Sequence, residues 1–277
     1  MAVRQAIGSV QPWADRAARV GYVAKGLVFI LVGALAVVAA AGLGGKATDP
    51  TGALLTVAHM PAGRVVLAFV GLGLIAHAAF RAALVLVGER YIHRGFLRQI
   101  ARRVSNGFAF LIYLGMALTA GALALGWNAH VSADRNAESR HLSARILTVP
   151  FGRPLLFAVA VGVLVAAVVQ VRWTFGPNHI RERLRVEEMT ERQCKVVLGV
   201  GRIAFGTRAA VLATCGYFAA RAAIGGISGE ARGPAGALHD VWELPHGDLL
   251  LAAFAAGLIG FGTYGLLEAK WRRLFGA

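Results

Sequence analysis

The sequence of 277 residues contains few charged residues and almost no cysteine. Only 16% of its residues are charged and 57% are apolar, whereas typical soluble domains have about 25% and about 45–50%. The two cysteines, Cys194 and Cys215, show no metal-ligand spacing such as C-x2-C. This composition excludes a disordered chain, a disulfide-stabilised scaffold and an ordinary water-soluble enzyme.

Catalytic motifs are also absent from the sequence. It contains no nucleophile elbow, no phosphate-binding loop and no dinucleotide-binding glycine pattern between a strand and a helix. Glycines such as Gly199 and Gly201 lie in an apolar stretch, where a phosphate cradle has no place. We therefore expect no catalytic residues, no cofactor, no resident metal and no enzymatic activity.

Basic residues outnumber acidic ones, with 29 Lys and Arg against 14 Asp and Glu and a net charge of +15. In a soluble protein this excess would indicate binding to nucleic acid. Here the basic residues lie mainly between long apolar runs, so membrane orientation explains them better and no nucleic-acid partner is expected. Their concentration before the first run, in alternate connections and after the last run predicts a membrane protein with both termini in the cytoplasm.

Six apolar runs are candidates to cross a bilayer core, which is about 30 Å thick and requires about 20 helical residues. The fifth is the weakest, because only 12 uncharged residues separate Arg208 from Arg221. Long arginine side chains can extend from a helix end to the interface, so this run is still predicted to span. We predict an all-α polytopic membrane protein with six transmembrane helices in the runs 26–45, 65–88, 104–129, 154–171, 209–220 and 249–267.

The chain contains an internal repeat. The turn P-x-G-A-L at residues 50–54 recurs at 234–238, and a P-x-G sequence precedes each even-numbered span. Because each copy holds two spans, consecutive copies enter the membrane in the same direction, which is typical of parallel repeats around an axis along the membrane normal. We predict three tandem parallel helical hairpins with pseudo-threefold symmetry, in the repeats 1–88, 89–190 and 191–277.

Glycines recur at fixed positions within these spans. Lipid supplies no hydrophobic drive between helices, so close approach at small residues provides much of the packing between them. In each even-numbered span a glycine lies ten residues after the glycine of the P-x-G sequence. Two odd-numbered spans share another glycine at an equivalent position. We expect helix contacts at Gly33, Gly73, Gly162, Gly216 and Gly257.

These motifs resemble a bacterial membrane family, domain of unknown function 1206. The resemblance rests on the stretch A-R-V-G-Y-V-A-K-G-L-V-F in the first repeat, the P-x-G-A-L turn in two repeats and the P-x-G sequence in all three. It extends from about Trp13 to Trp271, and the middle repeat departs from it by lacking the P-x-G-A-L turn and an intramembrane Lys or Arg. The resemblance implies a membrane location and three two-helix units, and it implies no reaction or ligand.

Four polar residues within the spans are candidates for a function: Lys25, Arg208, His77 and Arg81. Lys25 and Arg208 hold equivalent places in two repeats, but extension of their side chains to lipid phosphates is the more ordinary interpretation. Glu268 is the nearest acidic residue, which gives an intramembrane ion pair little support. His77 and Arg81 share one helix face, and a hydrogen-bonded packing role is expected for His77.

Five histidines fall in the connections predicted to lie on the outer side of the membrane: His59, His130, His141, His239 and His246. A metal site built from His239, Glu243 and His246 would need a continuous helix, which the proline before His246 interrupts. Exposed loop polarity is therefore the better interpretation, and a membrane metalloenzyme is the weakest hypothesis.

Two functional hypotheses follow from the sequence. The first is a non-catalytic structural or interaction protein, with membrane lipids and an unidentified protein as partners. The alternative is a channel or transporter along the repeat axis, for a small solute that would be an anion if Lys25 and Arg208 line the path. A hydrophilic path requires polar residues on one face of the spans, and the sequence offers few of them.

Overall fold

The computed structural model describes residues 2–42, 49–87, 96–127, 143–176, 180–181, 184–225 and 247–272. Over these residues the fold is all-α, with an isolated antiparallel bridge between Leu184 and Arg272 and a short 3-10 helix at Val186–Glu188. A further helical turn occupies residues 143–148. The other helices are α1 (Ala2–Ala40), α2 (Pro50–Ala58), α3 (Gly63–Val87), α4 (Phe96–Ala124), α5 (Gly152–Phe175), α6 (Glu191–Gly225) and α7 (Gly247–Trp271).

Six of these helices, all except α2, are long and apolar enough to cross a membrane, which confirms the six predicted spans. The protein is a multi-pass membrane protein. Its fifth span, α6, is much longer than the uncharged run inside it, because the helix continues through Arg202, Arg208 and Arg221. Arginine is a good helix former, so these charges interrupt the hydropathy of the segment without ending its helix.

The spanning helices form an incomplete ring. The second spanning helix of each repeat packs along the first helix of the next repeat, in the pairs α3–α4, α5–α6 and α7–α1. Helices of the same repeat pack together as α1–α3 and α6–α7, whereas the described residues of α4 and α5 form no extended contact. The fold therefore has the predicted pseudo-threefold arrangement of parallel hairpins, and we call the unpacked sector between the described residues of α4 and α5 the opening.

The P-x-G sequence has the same backbone conformation in the first two repeats. Its middle residue has a positive φ, of 59° at Ala62 and 65° at Phe151. The glycine that follows has no room for a side chain, because a Cβ at Gly63 would overlap the carbonyl oxygen of Val57, and a Cβ at Gly152 would overlap the corresponding carbonyl. The repeated motif is thus a tight reversal of the chain immediately before a span.

The P-x-G-A-L turn of the first repeat forms α2. Asp49 caps this helix by accepting a hydrogen bond from the Gly52 backbone N–H at 2.9 Å, and Pro50 occupies its first turn. Ala53 and Leu54 are buried within the apolar core of the first repeat and α4. The second copy of the turn, at 234–238, lies outside the described residues.

Gly33 and Gly216 lie at equivalent helix contacts. Both belong to the first helix of a repeat, and each faces the second helix of the repeat that precedes it in the ring. A Cβ at Gly33 would lie 2.6 Å from the Ile259 side chain of α7, and a Cβ at Gly216 would lie 2.8 Å from the Leu164 side chain of α5. The close approach at these positions explains why the two repeats share a glycine there.

Gly73 and Gly257 mark the other contact, between the two helices of one repeat. A Cβ at Gly73 would overlap the Ala24 side chain of α1, and a Cβ at Gly257 would overlap the Thr207 side chain of α6. Gly162 is the equivalent residue of the middle repeat, but no atom lies within 4 Å of its Cβ position. The expected contact is not formed there, because α4 does not pack along α5.

Candidate functional site

An ion network joins α1 to α7 inside the bundle, near the end at which α3, α5 and α7 finish. We call this the basic end, since the connections rich in Lys and Arg belong to it. Glu268 lies one turn before the end of α7, and its Oε2 is 3.3 Å from Lys25 Nζ. Its Oε1 accepts a hydrogen bond from Arg272, and all three residues are at most 4% exposed. Lys25 is therefore paired inside the protein and does not extend to lipid phosphates.

Aromatic rings surround the cations of this network. Lys25 Nζ lies 4.7 Å from the ring centroid of Phe261 and 5.4 Å from that of Tyr22. The Arg272 guanidinium lies 4.9 Å from the Tyr22 ring centroid. Ring faces attract cations, and more strongly where water is excluded, so these contacts offset part of the cost of burying the charges.

His77 and Arg81 extend the network toward α4. Arg81 Nε donates to His77 Nε2 at 3.4 Å, and a second Arg81 nitrogen donates to Asn106 Oδ1 at 3.0 Å. His77 is fully buried, and its ring packs edge-on against those of Tyr22 and Tyr113. Its Nδ1 has no hydrogen-bond partner among the described residues. His77 thus combines the expected packing role with a nitrogen whose hydrogen-bonding capacity is unused.

Arg208 lies on the inner face of α6, close to the buried residues Gly201, Ala204 and Phe205 on the helix surface. Its guanidinium is 5.7 Å from the ring centroid of Phe261 on α7, and its charge interacts with the charged groups of α3 and α7. Nevertheless, Arg208 is exposed, unlike its repeat equivalent in α1. Part of the Arg208 side chain is therefore exposed, although its guanidinium lies beside the ring of Phe261.

Together these side chains form what we call the central cluster: Lys25, Arg81, Arg208, Arg272 and Glu268. Lys25 lies close enough to Arg81 and Arg208 for their positive charges to repel its own, and Glu268 attracts it. Arg272, the fourth cation, donates a hydrogen bond to Glu268. The carboxylate that the described residues bring to the cluster is that of Glu268 alone. Counted over the described residues, the cluster consequently carries an excess of positive charge.

The segment between α5 and α6 closes the basic end beneath the cluster. Ile180 and Leu184 are buried against α6 and α7. The Arg185 backbone N–H donates to the Trp271 carbonyl oxygen at 2.8 Å, and Leu184 forms a bridge with Arg272. The connection between α5 and α6 is rich in charged residues, but its described part packs onto the ends of α6 and α7, next to Arg272.

Sequence reasoning found part of this site. It singled out Lys25, Arg208, His77 and Arg81, and the structure brings all four into one region. It did not assign a role to Glu268 or to the residues around it. The spacing of four between Glu268 and the arginine that follows it is a local signal of a helical ion pair, and this signal could have identified the carboxylate. The other missed contributors are Tyr22, Asn106, Tyr113, Phe261 and Arg272.

Comparisons with known proteins agree with the repeat architecture. The sequence profile of the family described as Domain of Unknown Function (DUF1206) matches three segments of the chain, residues 20–88, 107–175 and 197–272. The chain belongs to the DUF1206 family. It is also 32% identical over 264 residues to the uncharacterized protein YxxB of Bacillus subtilis (strain 168), an alignment that covers 95% of this chain and 93% of YxxB. No solved structure shows significant similarity to the chain.

The predicted outer histidines of this DUF1206 protein lie mostly beyond the described part of the chain. His130, His141, His239 and His246 are outside it, as is Glu243, whereas His59 is an exposed residue that ends α2. Within the described ranges, no group of three His, Cys, Asp or Glu side chains could hold a metal ion. The central cluster is therefore the site on which a function can be argued.

Proposed function

We propose that this DUF1206 protein is a non-catalytic membrane protein whose interior binds a small anion at the central cluster. The observation that carries the proposal is the charge of the cluster, where four cationic side chains accompany one carboxylate inside a membrane-spanning bundle. Cationic side chains within membrane spans are normally paired, and no carboxylate of the described residues is hydrogen-bonded to Arg81 or Arg208.

The distribution of partners indicates where the anion would bind. Lys25 and Arg272 share the carboxylate of Glu268, whereas Arg81 donates hydrogen bonds to neutral groups. Arg208 is exposed on the inner face of α6. An anion beside Arg81 and Arg208 would supply the missing negative charge, and a guanidinium binds phosphate or carboxylate oxygens with two parallel hydrogen bonds.

Binding is favoured over conduction by the hydroxyl groups of the spans. Thr214 and Thr263 each donate to a carbonyl oxygen one turn earlier in their own helix, so they add little polarity to a path along the axis. Conduction of the bound anion is the second candidate function, and the position of Arg208 midway along α6 favours it. In either case the side chains bind and orient an anion, and no chemical step is required of them.

We expect Arg208→Gln to weaken the binding of inorganic phosphate to the purified protein at least about tenfold, because a hydrogen bond to a charged group contributes about 1.5–3 kcal/mol. Titration of radiolabelled phosphate onto protein in a neutral detergent measures this change. Arg202→Gln is the matched control, since Arg202 is an exposed arginine of the same helix. Equal affinities in the two variants, or no phosphate binding by the wild type, would contradict the proposal.

The same variants test conduction. Liposomes containing the pure wild-type protein would release a loaded anion faster than empty liposomes if the bound anion crosses the membrane. Arg208→Gln would abolish that difference, and Arg202→Gln would retain it. Binding without flux assigns the protein to the interaction class, whereas flux that is the same in both variants removes Arg208 from the path.

We also propose that the protein lies in the bacterial cytoplasmic membrane with both termini in the cytoplasm, which the bias of Lys and Arg toward the basic end supports. Fusion of a fluorescent protein that folds only in the cytoplasm to either terminus should give fluorescence. An insertion of the same protein within 128–142, which the spans predict on the opposite side, should be dark. Fluorescence at one terminus only would refute this orientation.

A further inference from the structure

Comparison of the three repeats indicates which residues of α5 line the opening between α4 and α5. Positions equivalent to Gly162 of α5 are Gly73 in α3 and Gly257 in α7, and both of those glycines pack against the first helix of their own repeat. In α5 the corresponding surface is exposed, with no atom within 4 Å of the Cβ position of Gly162. Gly162 therefore lies on the α5 surface that faces the opening.

One turn further along α5, the same surface presents Ala166. The equivalent residues are His77 in α3 and Phe261 in α7, and both direct a ring into the central cluster. Ala166 is exposed and too small to do so. The middle repeat thus has no aromatic ring at the position where the other two repeats direct one into the central cluster.

The burial pattern of α5 also indicates that one of its sides is uncovered. Its buried residues fall in a stripe about 80° wide at 100° per residue, which is enough for one neighbouring helix. That neighbour is α6, through contacts such as Leu164 with Gly216. The buried residues are Gly152, Leu156, Ala160, Ala167 and Gln170.

The opening leads to the central cluster. All other neighbouring pairs of spanning helices in the described ring are packed, so the sector between α4 and α5 is its lateral access. Arg208, on the inner face of the helix next to α5, is the exposed cation of the cluster. Next to the cluster, His77 is hydrogen-bonded to Arg81 and its Nδ1 has no partner among the described residues. A molecule that enters the opening from the bilayer would therefore first contact small apolar residues, and it would contact the positive charge of Arg208 at the inner end of the opening.

We infer that this opening binds an anionic phospholipid, with an acyl chain against Gly162 and Ala166 and its phosphate at Arg208 in the central cluster. The inference rests on the proposed anion-binding function and names its ligand. The opening faces the bilayer sideways, where a free phosphate ion would have to cross hydrocarbon and a lipid would not. Basic pockets between membrane-spanning helices on the cytoplasmic side bind lipid headgroups, and the central cluster begins one turn from the basic end of α7.

Ala166→Phe tests the inference, because it introduces the kind of side chain that the other two repeats hold at this place. We expect the wild-type protein, transferred from bilayers that contain equal amounts of phosphatidylglycerol and phosphatidylcholine, to retain phosphatidylglycerol in native mass spectrometry. Ala166→Phe should lower this retention at least tenfold. Val168→Phe is the control, since Val168 is 61% exposed and lies on the opposite side of α5.

The outcomes distinguish this inference from the proposed function. Phosphate binding without any preference for phosphatidylglycerol overturns the lipid inference and leaves anion binding intact. Equal loss of lipid in Ala166→Phe and Val168→Phe overturns the lateral route. Absence of both phosphate and lipid binding in the wild type overturns both proposals. Arg208→Gln should lose both ligands, which would place the phosphate of the lipid at the same cation.

Discussion

Glu268→Gln is expected to lower the free energy of unfolding by about 3–5 kcal/mol, which is the usual effect of removing one partner of a buried ion pair. The amide keeps the shape of the side chain but removes the negative charge that both Lys25 and Arg272 contact. Both cations are at most 4% exposed, so neither can recover hydration without movement of α1 or α7. Reversible unfolding in mixed micelles of a neutral detergent and dodecyl sulfate measures the change.

Glu188→Gln is the control for this prediction. Glu188 pairs with Arg185 at 3.2 Å in a solvent-exposed pair. Exposed pairs of this kind contribute about 0.2–1 kcal/mol, so the control should remain close to the wild type. A similar small loss in both variants would show that the Lys25–Glu268 pair is not a buried, structurally important interaction.

A triple variant separates the cost of uncompensated charge from the loss of packing. Lys25→Met, Glu268→Leu and Arg272→Met together replace the ion network with apolar side chains, a change that is often neutral or stabilising in buried sites. We expect the triple variant to regain most of the stability lost in Glu268→Gln. A triple variant as unstable as the single one would indicate that shape, and not charge, accounts for the loss.

The features of the fold that could be predicted are those that leave a local pattern in the sequence. Hydropathy located the six spans, and a fixed spacing from the P-x-G sequence located Gly73 and Gly257, which lie at close helix contacts. The same spacing also selected Gly162, where the contact is missing. A repeat can preserve a glycine after its partner helix has moved away, and only the arrangement of α4 and α5 reveals this difference.

The central cluster could not be assembled from the sequence for a different reason. Lys25 and Glu268 are separated by 243 residues along the chain, and they meet because the last helix closes the ring against the first. Pseudo-threefold symmetry predicts that closure, but it does not predict the rotation of each helix that directs one side chain toward another. The missing contact between α4 and α5 likewise has no local pattern in the sequence that predicts it.

A second large loss of stability is expected from a substitution at the contact between α1 and α7. A Cβ at Gly262 would lie 2.5 Å from the Gly26 carbonyl oxygen and 2.7 Å from the backbone nitrogen of Ile30. Both are backbone atoms, so a side chain can be accommodated only by separating the two helices. Gly262→Leu is therefore expected to destabilise the protein by at least about 1–3 kcal/mol, the usual cost of overpacking, and this is measured in the same unfolding assay.

Gly162→Leu is the matched control, because it places the same side chain in a spanning helix where no atom lies within 4 Å of the Cβ position. Leucine is a better helix former than glycine by up to about 1 kcal/mol, so this variant should be as stable as the wild type or slightly more stable. Comparable destabilisation by both substitutions would mean that α4 and α5 pack together in the membrane. If only Gly262→Leu is destabilised, the ring is closed by α1 and α7 and open at the middle repeat. In that case Gly162→Leu should also retain less phosphatidylglycerol than the wild type, since its side chain occupies the space assigned to the acyl chain.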